Sequence, residues 1–407
     1  MLSAASQYAP YPTWLNPGDN AWQLISATLV GLMSIPALAV LYGGLVQKKW
    51  IVNTMFMVFA GFSLTLVVWV CWGYSFAFGT PQAHFGSTGS FWSGFIGNWF
   101  TLFSAHSLQD QAQSGANTLL PFNFPTATFA YFQFVFAAII GPRLRRDRTT
   151  VPSNLMLVAV GAGILWLGWN GFNGGDMYYA GMNASAAVLN TNLATAVGVL
   201  SWMLMDMMLG KQRKPTFLGA INGMLCGLVA ITPAAGFVDG VGAIAIGFVS
   251  SFLVWFTWNF LSKVWPFRVV DDAMGVVYTH GFAGLIGGVL VGLLANPGMA
   301  VYLADPNTPG STGFATTGAF YGNPKQLWLQ LGAAGTIIVW DGVMTFLILS
   351  FIRIFVKLRM PDEALETGDV AIHDEEAYPS EPVLAGAGAV SAAVAPSSVR
   401  TAEPEPV

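Results

Sequence analysis

The chain has 407 residues, of which 54% are hydrophobic and 9% are Asp, Glu, Lys or Arg, and its mean hydropathy is +0.58. Soluble domains carry about a quarter charged residues, so this composition excludes an ordinary water-soluble globule. The net charge of −4 arises at the end of the chain, because ten of the 20 acidic residues follow Met360. The preceding part is basic.

Nine apolar stretches are predicted to cross a bilayer as helices, which takes about 20 residues each. The third stretch is largely apolar over only about 15 residues, which gives about 22 Å of helix, whereas the hydrocarbon core is about 30 Å thick. The pattern predicts an all-α polytopic membrane protein. The predicted spans are 22–46, 51–79, 126–141, 153–175, 183–209, 217–236, 240–262, 274–295 and 326–356.

The Lys and Arg positions predict the orientation of these spans. With the N-terminus outside, 14 of the 16 basic residues fall in loops that stay inside, as the positive-inside rule requires. Residues 1–21 then form an external segment and residues 22–359 the transmembrane domain in a cytoplasmic membrane. Residues 360–407 form an acidic cytoplasmic tail, and their Ala-, Pro-, Ser- and Glu-rich composition predicts that the tail is largely disordered.

One histidine, His280, lies within an apolar run, "VVYTHGFAGLIGGVL". It lies about seven residues into its predicted helix, or about 10 Å from the cytoplasmic start. An ionisable group at that depth indicates a functional position. The alternative is a neutral histidine that hydrogen-bonds to a neighbouring carbonyl.

Aromatic residues and one carboxylate share a face at the external end of the fourth span. Trp169, Phe172 and Asp176 follow i, i+3, i+7 spacing, and Phe132 and Phe136 form an i, i+4 pair at a comparable depth on the third span. Aromatic faces beside a carboxylate favour a receptor for a small cation. An interfacial aromatic belt with an exposed aspartate explains the same spacing.

Two glycine-rich faces predict close helix packing in the membrane. The first consists of Gly219, Gly223 and Gly227, and the second of Gly284, Gly288 and Gly292.

The sequence has no nucleophile–base constellation, no phosphate loop and no cluster of metal ligands. An enzyme is therefore not expected, and neither a cofactor nor a metal is predicted.

Four stretches closely resemble the ammonium transporter family: "DNAWQLISATLVGLMSIPALAVLYGGLVQKK", "GWNGFNGGD", "RKPTFLGAINGMLCGLVAITPAAGF" and "VVYTHGFAGLIGG". The resemblance extends to about Pro379. It implies a homotrimer whose protomers each contain a narrow pore, built from two inverted five-helix repeats and an eleventh helix. It also suggests a PII-type regulatory protein as a cytoplasmic partner.

The resemblance further implies the transport of ammonium, ammonia and methylammonium. The family captures the cation at an external aromatic site and passes the neutral molecule through a hydrophobic, histidine-lined pore, because ammonia is far cheaper to dehydrate than ammonium. By similarity, the site comprises the gate phenylalanines Phe136 and Phe172, the pore-mouth aromatic Phe132, the pore-wall Trp169, the gate-region Thr232 and the second pore histidine, His280.

The chain departs from the family pattern at three places. Asp176 replaces a usual serine at the outer binding site, and Gly275 replaces a usual aspartate. Around residues 132–150 the family has two further helices, which carry an outer-site tryptophan, a buried aspartate and the first pore histidine. The first repeat is therefore predicted to be incomplete, with about nine spans. Two alternatives to transport are a non-conducting ammonium sensor or regulatory paralogue and a truncated product of a full-length gene.

Overall fold

The computed structural model describes residues 15–78, 114–116, 121–134, 152–270, 272, 274–302 and 314–379. Eight helical segments in these ranges are long and apolar enough to cross a membrane. The shorter ones are α3, the two short terminal helices, the 3-10 turns Phe267–Val269 and Ala319–Tyr321, and the α-helical turn Tyr74–Phe78, which follows α2 directly. In chain order the segments are α1 (Pro17–Leu45), α2 (Lys48–Gly73), α3 (Thr126–Phe134), α4 (Leu155–Gly175), α5 (Met182–Leu209), α6 (Phe217–Ala234), α7 (Gly240–Lys263), α8 (Val277–Leu294), α9 (Pro324–Phe355), α10 (Asp362–Thr367) and α11 (Asp369–His373).

The eight long segments coincide with eight of the nine predicted spans. The remaining predicted span, 126–141, begins as the helix α3 at Thr126. The structure describes α3 as far as Phe134, and residues 135–141 lie outside the described residues.

Polar side chains fix where several of these helices begin. Asn16 accepts hydrogen bonds from the amides of Gly18 and Asp19 at the start of α1, and Asn154 does the same for the first turn of α4. Thr216 and Asp239 cap α6 and α7. Such caps matter because the first amides of a helix have no partner within it.

Three of the long helices contain a π-helical segment, in which the hydrogen bonds skip one residue further than in an α-helix. The segment Met33–Ala37 in α1 contains Pro36, which lacks an amide hydrogen and so interrupts the α-helical ladder. The others are Trp69–Gly73 in α2 and Val277–Phe282 in α8. The last of these contains His280.

Two small antiparallel pairs of strands lie between the helices. β1 (Ser114–Ala116) pairs with β2 (Pro121–Pro125), and β3 (Val301–Tyr302) pairs with β4 (Phe314–Ala315). They lie outside the long helical segments, so the membrane-crossing part of the described chain is helical.

The core is built on close contacts between α5, α6 and α7. A Cβ atom added to Gly223 would lie 2.5 Å from the carbonyl oxygen of Gly198, and one added to Gly227 would lie 2.6 Å from that of Ala194. Gly247 of α7 meets the same Ala194 carbonyl. The predicted packing role of the first glycine face is therefore confirmed, because only hydrogen fits between these backbones.

The second glycine face differs from its prediction. A Cβ atom on Gly288 would meet nothing within 4 Å, and one on Gly284 would meet only the Val229 side chain, at 3.7 Å. Gly287, on a neighbouring face, instead packs against the carbonyl of Ala230, and Gly292 packs against Leu327 of α9. The face of α8 that contacts α6 is therefore rotated about the helix axis, relative to the face that the glycine spacing predicts.

The beginning of the acidic tail, within residues 361–379, is folded against the start of α2. The buried Asp369 carboxylate accepts hydrogen bonds from the amides of Val52 (2.7 Å) and Asn53 (2.9 Å). These amides belong to the first turn of a helix, where a carboxylate is favoured by both hydrogen bonding and the helix dipole.

A second set of contacts holds the same part of the tail. Lys49 Nζ donates to the carbonyl oxygens of Leu365 (3.1 Å) and Glu366 (3.2 Å). The Leu365 side chain is buried in an apolar cluster with Trp50 and Ile51. Enough apolar surface is therefore buried to order residues 361–379, while residues from Ser380 onwards lie outside the described part.

We expect Gly223→Ala to destabilise the protein by about 1–3 kcal/mol, since the methyl group would overlap the Gly198 carbonyl and force α5 and α6 apart. Gly288→Ala is the matched control, because its methyl group meets open space and alanine favours helix formation. Thermal unfolding of both variants in detergent measures the difference. Equal midpoints for the two variants would contradict the close contact.

We expect Asp369→Ala to release the tail from α2, because the first amides of this helix would lose their buried charged acceptor. Limited trypsin digestion at Lys357 and Arg359 should then be faster than in the wild type. Glu375→Ala, which removes an exposed acid from the same tail, is the control. Unchanged cleavage of Asp369→Ala would show that the contact does not hold the tail.

Candidate functional site

A cavity of about 770 Å³ lies among helices α1, α4, α6 and α8. One end is at Asp176, directly after α4, and the other is at Asp272, shortly before α8; we call these the Asp176 end and the Asp272 end. The lining between them is largely apolar and comes from several helices. The apolar residues are Val30, Met33, Leu38, Leu41, Leu45, Leu165, Leu218, Ile221, Leu225, Val229 and Met274.

Five of the predicted site residues line this one cavity: Trp169, Phe172, Asp176, Thr232 and His280. They come from α4, α6 and α8, which are distant in sequence. The helical spacing predicted that Trp169, Phe172 and Asp176 share a face. That Thr232 and His280 lie on the same cavity follows from the packing of the helices.

Trp169 is fixed between α4 and α6. Its ring stacks on Phe172, with centroids 5.2 Å apart and planes 28° from parallel, and its Nε1–H donates to Thr232 Oγ1 at 2.9 Å. The Thr232 hydroxyl donates its own hydrogen to the carbonyl of Leu228 at 2.8 Å. Because a hydroxyl has a single hydrogen, its remaining role towards Trp169 is that of acceptor, and both groups are satisfied.

His280 is held by the residue before it. Thr279 Oγ1 donates to the Gly275 carbonyl (2.9 Å) and lies 2.9 Å from His280 Nδ1. Since the threonine hydrogen is used on Gly275, Nδ1 must carry a hydrogen and donate it to Thr279. In the neutral ring, Nε2 is then an acceptor, and no residue in the described part of the chain hydrogen-bonds to it.

Asp176 places a carboxyl group at one end of the cavity. Its side chain lines the cavity and has accessible surface there. Burial within the protein raises the pKa of the Asp176 carboxyl above its usual value, and a hydrogen bond with Tyr178 opposes this rise. The group can therefore attract a cation when ionised and accept a proton more readily than a solvated aspartate.

The two phenylalanines predicted on α3 are not on the cavity surface that the structure describes. Phe132 is fully buried in an apolar cluster with Ala27, Val30 and Phe134, behind Phe172, and it is not among the residues that line the cavity. Its place at a pore mouth stays a prediction. Phe136 lies outside the described residues.

Asp272 lines the cavity, which the sequence did not predict. Its two carboxylate oxygens accept hydrogen bonds from the amides of Val276 (2.8 Å) and Val277 (2.9 Å). These amides belong to the start of the His280 helix, where the helix dipole favours a carboxylate. The cavity consequently has a carboxylate at both ends.

Gly275 is a glycine for a structural reason. Its φ angle is +70°, a region that residues with a side chain rarely adopt, and the Trp258 ring occupies the space where a Cβ atom would lie. An aspartate at this position would clash with that ring. Trp258 and Tyr42 also line the cavity, and nothing in their local sequence indicates it.

No three His, Cys, Asp or Glu side chains within the described ranges lie close enough to one another to hold a metal ion. The site therefore offers carboxylates, aromatic faces, one imidazole and apolar walls for the recognition of a ligand.

The profile of the Ammonium Transporter Family matches residues 21–139 and 126–378 of this chain. Residues 126–139 belong to both matches, so this one stretch corresponds to two parts of the family pattern. Together the matches cover most of the chain.

Plant ammonium transporters are similar over nearly their full length. The chain is 37% identical to Ammonium transporter 2 member 1 of Oryza sativa subsp. japonica, covering 93% of this chain and 91% of the relative. It is 38% identical to Ammonium transporter 2 of Arabidopsis thaliana, covering 90% and 89%. Because 93% of 407 residues is about 379, about 76 of the 455 positions aligned with the rice protein have no counterpart here.

The crystal structure of Saccharomyces cerevisiae Mep2 has the same fold, with a TM-score of 0.70 and 23% sequence identity over 86% of this chain and 89% of that one. The helical architecture, the family match and the identity to the plant transporters agree. This multi-pass membrane protein belongs to the ammonium transporter family, whose members are transporters and not enzymes.

Proposed function

We propose that the chain transports ammonium and methylammonium across the cytoplasmic membrane through the cavity between Asp176 and Asp272. The observation that carries the proposal is that one continuous cavity joins Asp176, Phe172, Trp169, Thr232 and His280. These residues supply, in order, a charge, two aromatic faces and hydrogen-bonding groups.

The geometry supports capture of the cation at the Asp176 end. The ionised carboxylate and the stacked rings of Phe172 and Trp169 attract a cation by charge and by cation–π interaction, worth about 0.5–2 kcal/mol per ring. The raised pKa of Asp176 makes its carboxylate a better proton acceptor than a solvated aspartate, which favours loss of a proton from the cation at this end. The neutral base then enters the apolar part of the cavity.

His280 acts on the neutral molecule. With Nδ1–H held by Thr279, Nε2 can accept a hydrogen bond from an N–H of ammonia or methylamine. A neutral base needs such partners less than a cation does, because dehydrating an ion costs far more than dehydrating a neutral amine. The path therefore favours the deprotonated form beyond Trp169.

The Lys and Arg distribution supports an external Asp176 end and a cytoplasmic Asp272 end. We also propose that the chain lacks two spans of the first of two inverted repeats, with the junction after Ile140. The double match of residues 126–139 and the roughly 76 unmatched positions support a fusion of two helices there. The homotrimer and a PII-type partner remain proposals from the family.

A second candidate function is the binding of ammonium without conduction, as in a sensor. The favouring observation is the volume of the cavity: about 770 Å³ is more than twentyfold the volume of an ammonium ion, which is about 30 Å³, like that of water. His280 is the one imidazole among the described lining residues. Binding by the purified protein without uptake into proteoliposomes would select this function.

We expect Phe172→Ala to abolish saturable methylammonium uptake, because the cation loses one aromatic face and Trp169 loses its stacking partner. Uptake of labelled methylammonium into proteoliposomes measures this. Phe248→Ala, on an exposed face of α7, is the matched control and should retain uptake. Uptake that persists in Phe172→Ala would contradict a role for this ring.

We expect the apparent affinity for methylammonium to fall as the external pH falls through the raised pKa of Asp176, because protonation removes the charge that attracts the cation. Tyr178 hydrogen-bonds to this carboxyl, while His280 and Asp272 line the cavity further in. Asp176→Asn should weaken binding and flatten the pH dependence. Asp341→Asn, on α9, is the control. An unchanged pH profile in Asp176→Asn would assign the dependence to another group.

A further inference from the structure

The turn after α4 contains Tyr178, a residue with a left-handed backbone conformation. Its φ angle is +64°, a region that residues other than glycine rarely adopt. Its amide donates to the Gly175 carbonyl at 2.9 Å, which closes the end of the helix. Helices commonly end on a left-handed residue, but that residue is usually glycine, because a side chain is unfavourable there. A tyrosine at this position indicates that its side chain makes contacts that offset the cost.

The Tyr178 ring packs between two groups of buried aromatic residues. Its centroid lies 6.0 Å from that of Phe129 and 6.5 Å from that of Phe132, with both pairs edge to face. Phe129 belongs to a cluster with Phe124, and Phe132 belongs to a cluster with Phe134. These contacts restrict the orientation of the ring and, with it, the position of its hydroxyl.

Two polar groups bond to the Tyr178 hydroxyl. It forms a hydrogen bond with the Asp176 carboxyl, and Gln133 Nε2 of α3 donates to its oxygen at 3.5 Å. Since Gln133 supplies the hydrogen of the second bond, the single hydrogen of the hydroxyl is left for the carboxylate. A donor of this kind favours the ionised form of Asp176, whereas burial disfavours it.

We propose that Tyr178 is a positioning residue for Asp176, and that its hydroxyl holds this carboxylate in the charged form at the end of the cavity. The inference rests on the proposed capture of the cation at Asp176, and it assigns the residue that controls the charge there. Tyr178 is not among the residues that line the cavity, so it acts through Asp176 and not on the substrate. The alternative is a residue that only ends α4, a role that glycine would fill equally well.

Other titratable groups lie around the same turn. Asp19 of α1 accepts a hydrogen bond from a backbone amide of this turn, and Tyr74 belongs to the adjoining aromatic cluster. His280 and Asp272 line the cavity further in. A pH dependence must therefore be assigned to Asp176 by a signal that disappears when this carboxyl is removed.

The experiment titrates the Asp176 carboxyl by infrared difference spectroscopy on the full chain in nanodiscs, using the band that is absent from Asp176→Asn. We expect Tyr178→Phe, which keeps the ring and loses the hydroxyl, to move the midpoint about one pH unit higher, as loss of one hydrogen bond to a charged group implies. Tyr178→Gly also loses the hydroxyl but suits the left-handed backbone, so it should move the midpoint in the same direction. Tyr131→Phe, which removes an exposed hydroxyl from α3, is the matched control and should leave the midpoint unchanged.

Methylammonium binding to the same preparations gives a second readout. In Tyr178→Phe, the fall in affinity on acidification should begin at a pH that is higher by the same amount. When Asp176→Asn is already present, adding Tyr178→Phe should change neither the affinity nor its pH dependence. Thermal unfolding confirms that each variant is folded.

An unchanged carboxyl midpoint in Tyr178→Phe, or a wild-type midpoint in Tyr178→Gly, would overturn the inference. So would an effect of Tyr178→Phe on affinity that persists when Asp176→Asn is present. A shifted midpoint in a chain that neither binds nor transports methylammonium contradicts the proposed transport alone. Methylammonium uptake together with an unshifted midpoint contradicts the positioning role alone.

Discussion

Buried polar groups in this helical membrane protein must find their partners within the protein, and two threonines meet this requirement in the same way. Thr232 donates to the carbonyl of Leu228, four residues earlier, and accepts from Trp169. Thr279 donates to the carbonyl of Gly275, again four residues earlier, and accepts from His280. Each hydroxyl uses its single hydrogen on its own helix, so its oxygen is left to orient an aromatic N–H group.

These two hydrogen bonds determine what the cavity presents to a ligand. Trp169 is hydrogen-bonded to Thr232 of α6. Phe172 lies one turn further along α4 and stacks on Trp169, and Asp176 lies one turn beyond it, so all three face the same cavity. His280 is tied to the start of its own helix, and its Nε2 atom remains an acceptor. A charge, two aromatic faces and an imidazole are thus ordered from one end of the cavity to its interior.

Close backbone packing and open space coexist in the same helices. Gly198 and Gly223 bring α5 and α6 into backbone contact, which makes the side of α6 facing α5 rigid. On the cavity side of α6, Leu225 and Val229 face a space that no described side chain fills. The packing of the protein thereby maintains a largely apolar cavity next to a dense core.

The tail contacts a residue that lines the Asp272 end of the cavity, which is the cytoplasmic end in the proposed orientation. Leu365 belongs to an apolar cluster against which Met274 packs, and Met274 also lines the Asp272 end of the cavity. The composition of the tail indicated disorder because it averages over nearly fifty residues. Asp369 and Leu365 each have specific contacts with α2, which a composition averaged over the whole tail does not reveal.

The sequence by itself determined the spans, because uninterrupted apolar stretches of membrane length leave the backbone few conformations other than a helix. It also determined that Trp169, Phe172 and Asp176 share a face, and that His280 lies within an apolar helical run, since helical spacing and hydropathy are local properties. Tertiary structure alone decided what lies opposite each face. Phe132 packs behind Phe172, Gly284 borders the cavity while Gly287 meets α6, and Tyr42, Trp258 and Asp272 line the site. The helical periodicity of the sequence defines which residues share a face of a helix, but long-range packing determines what that face contacts.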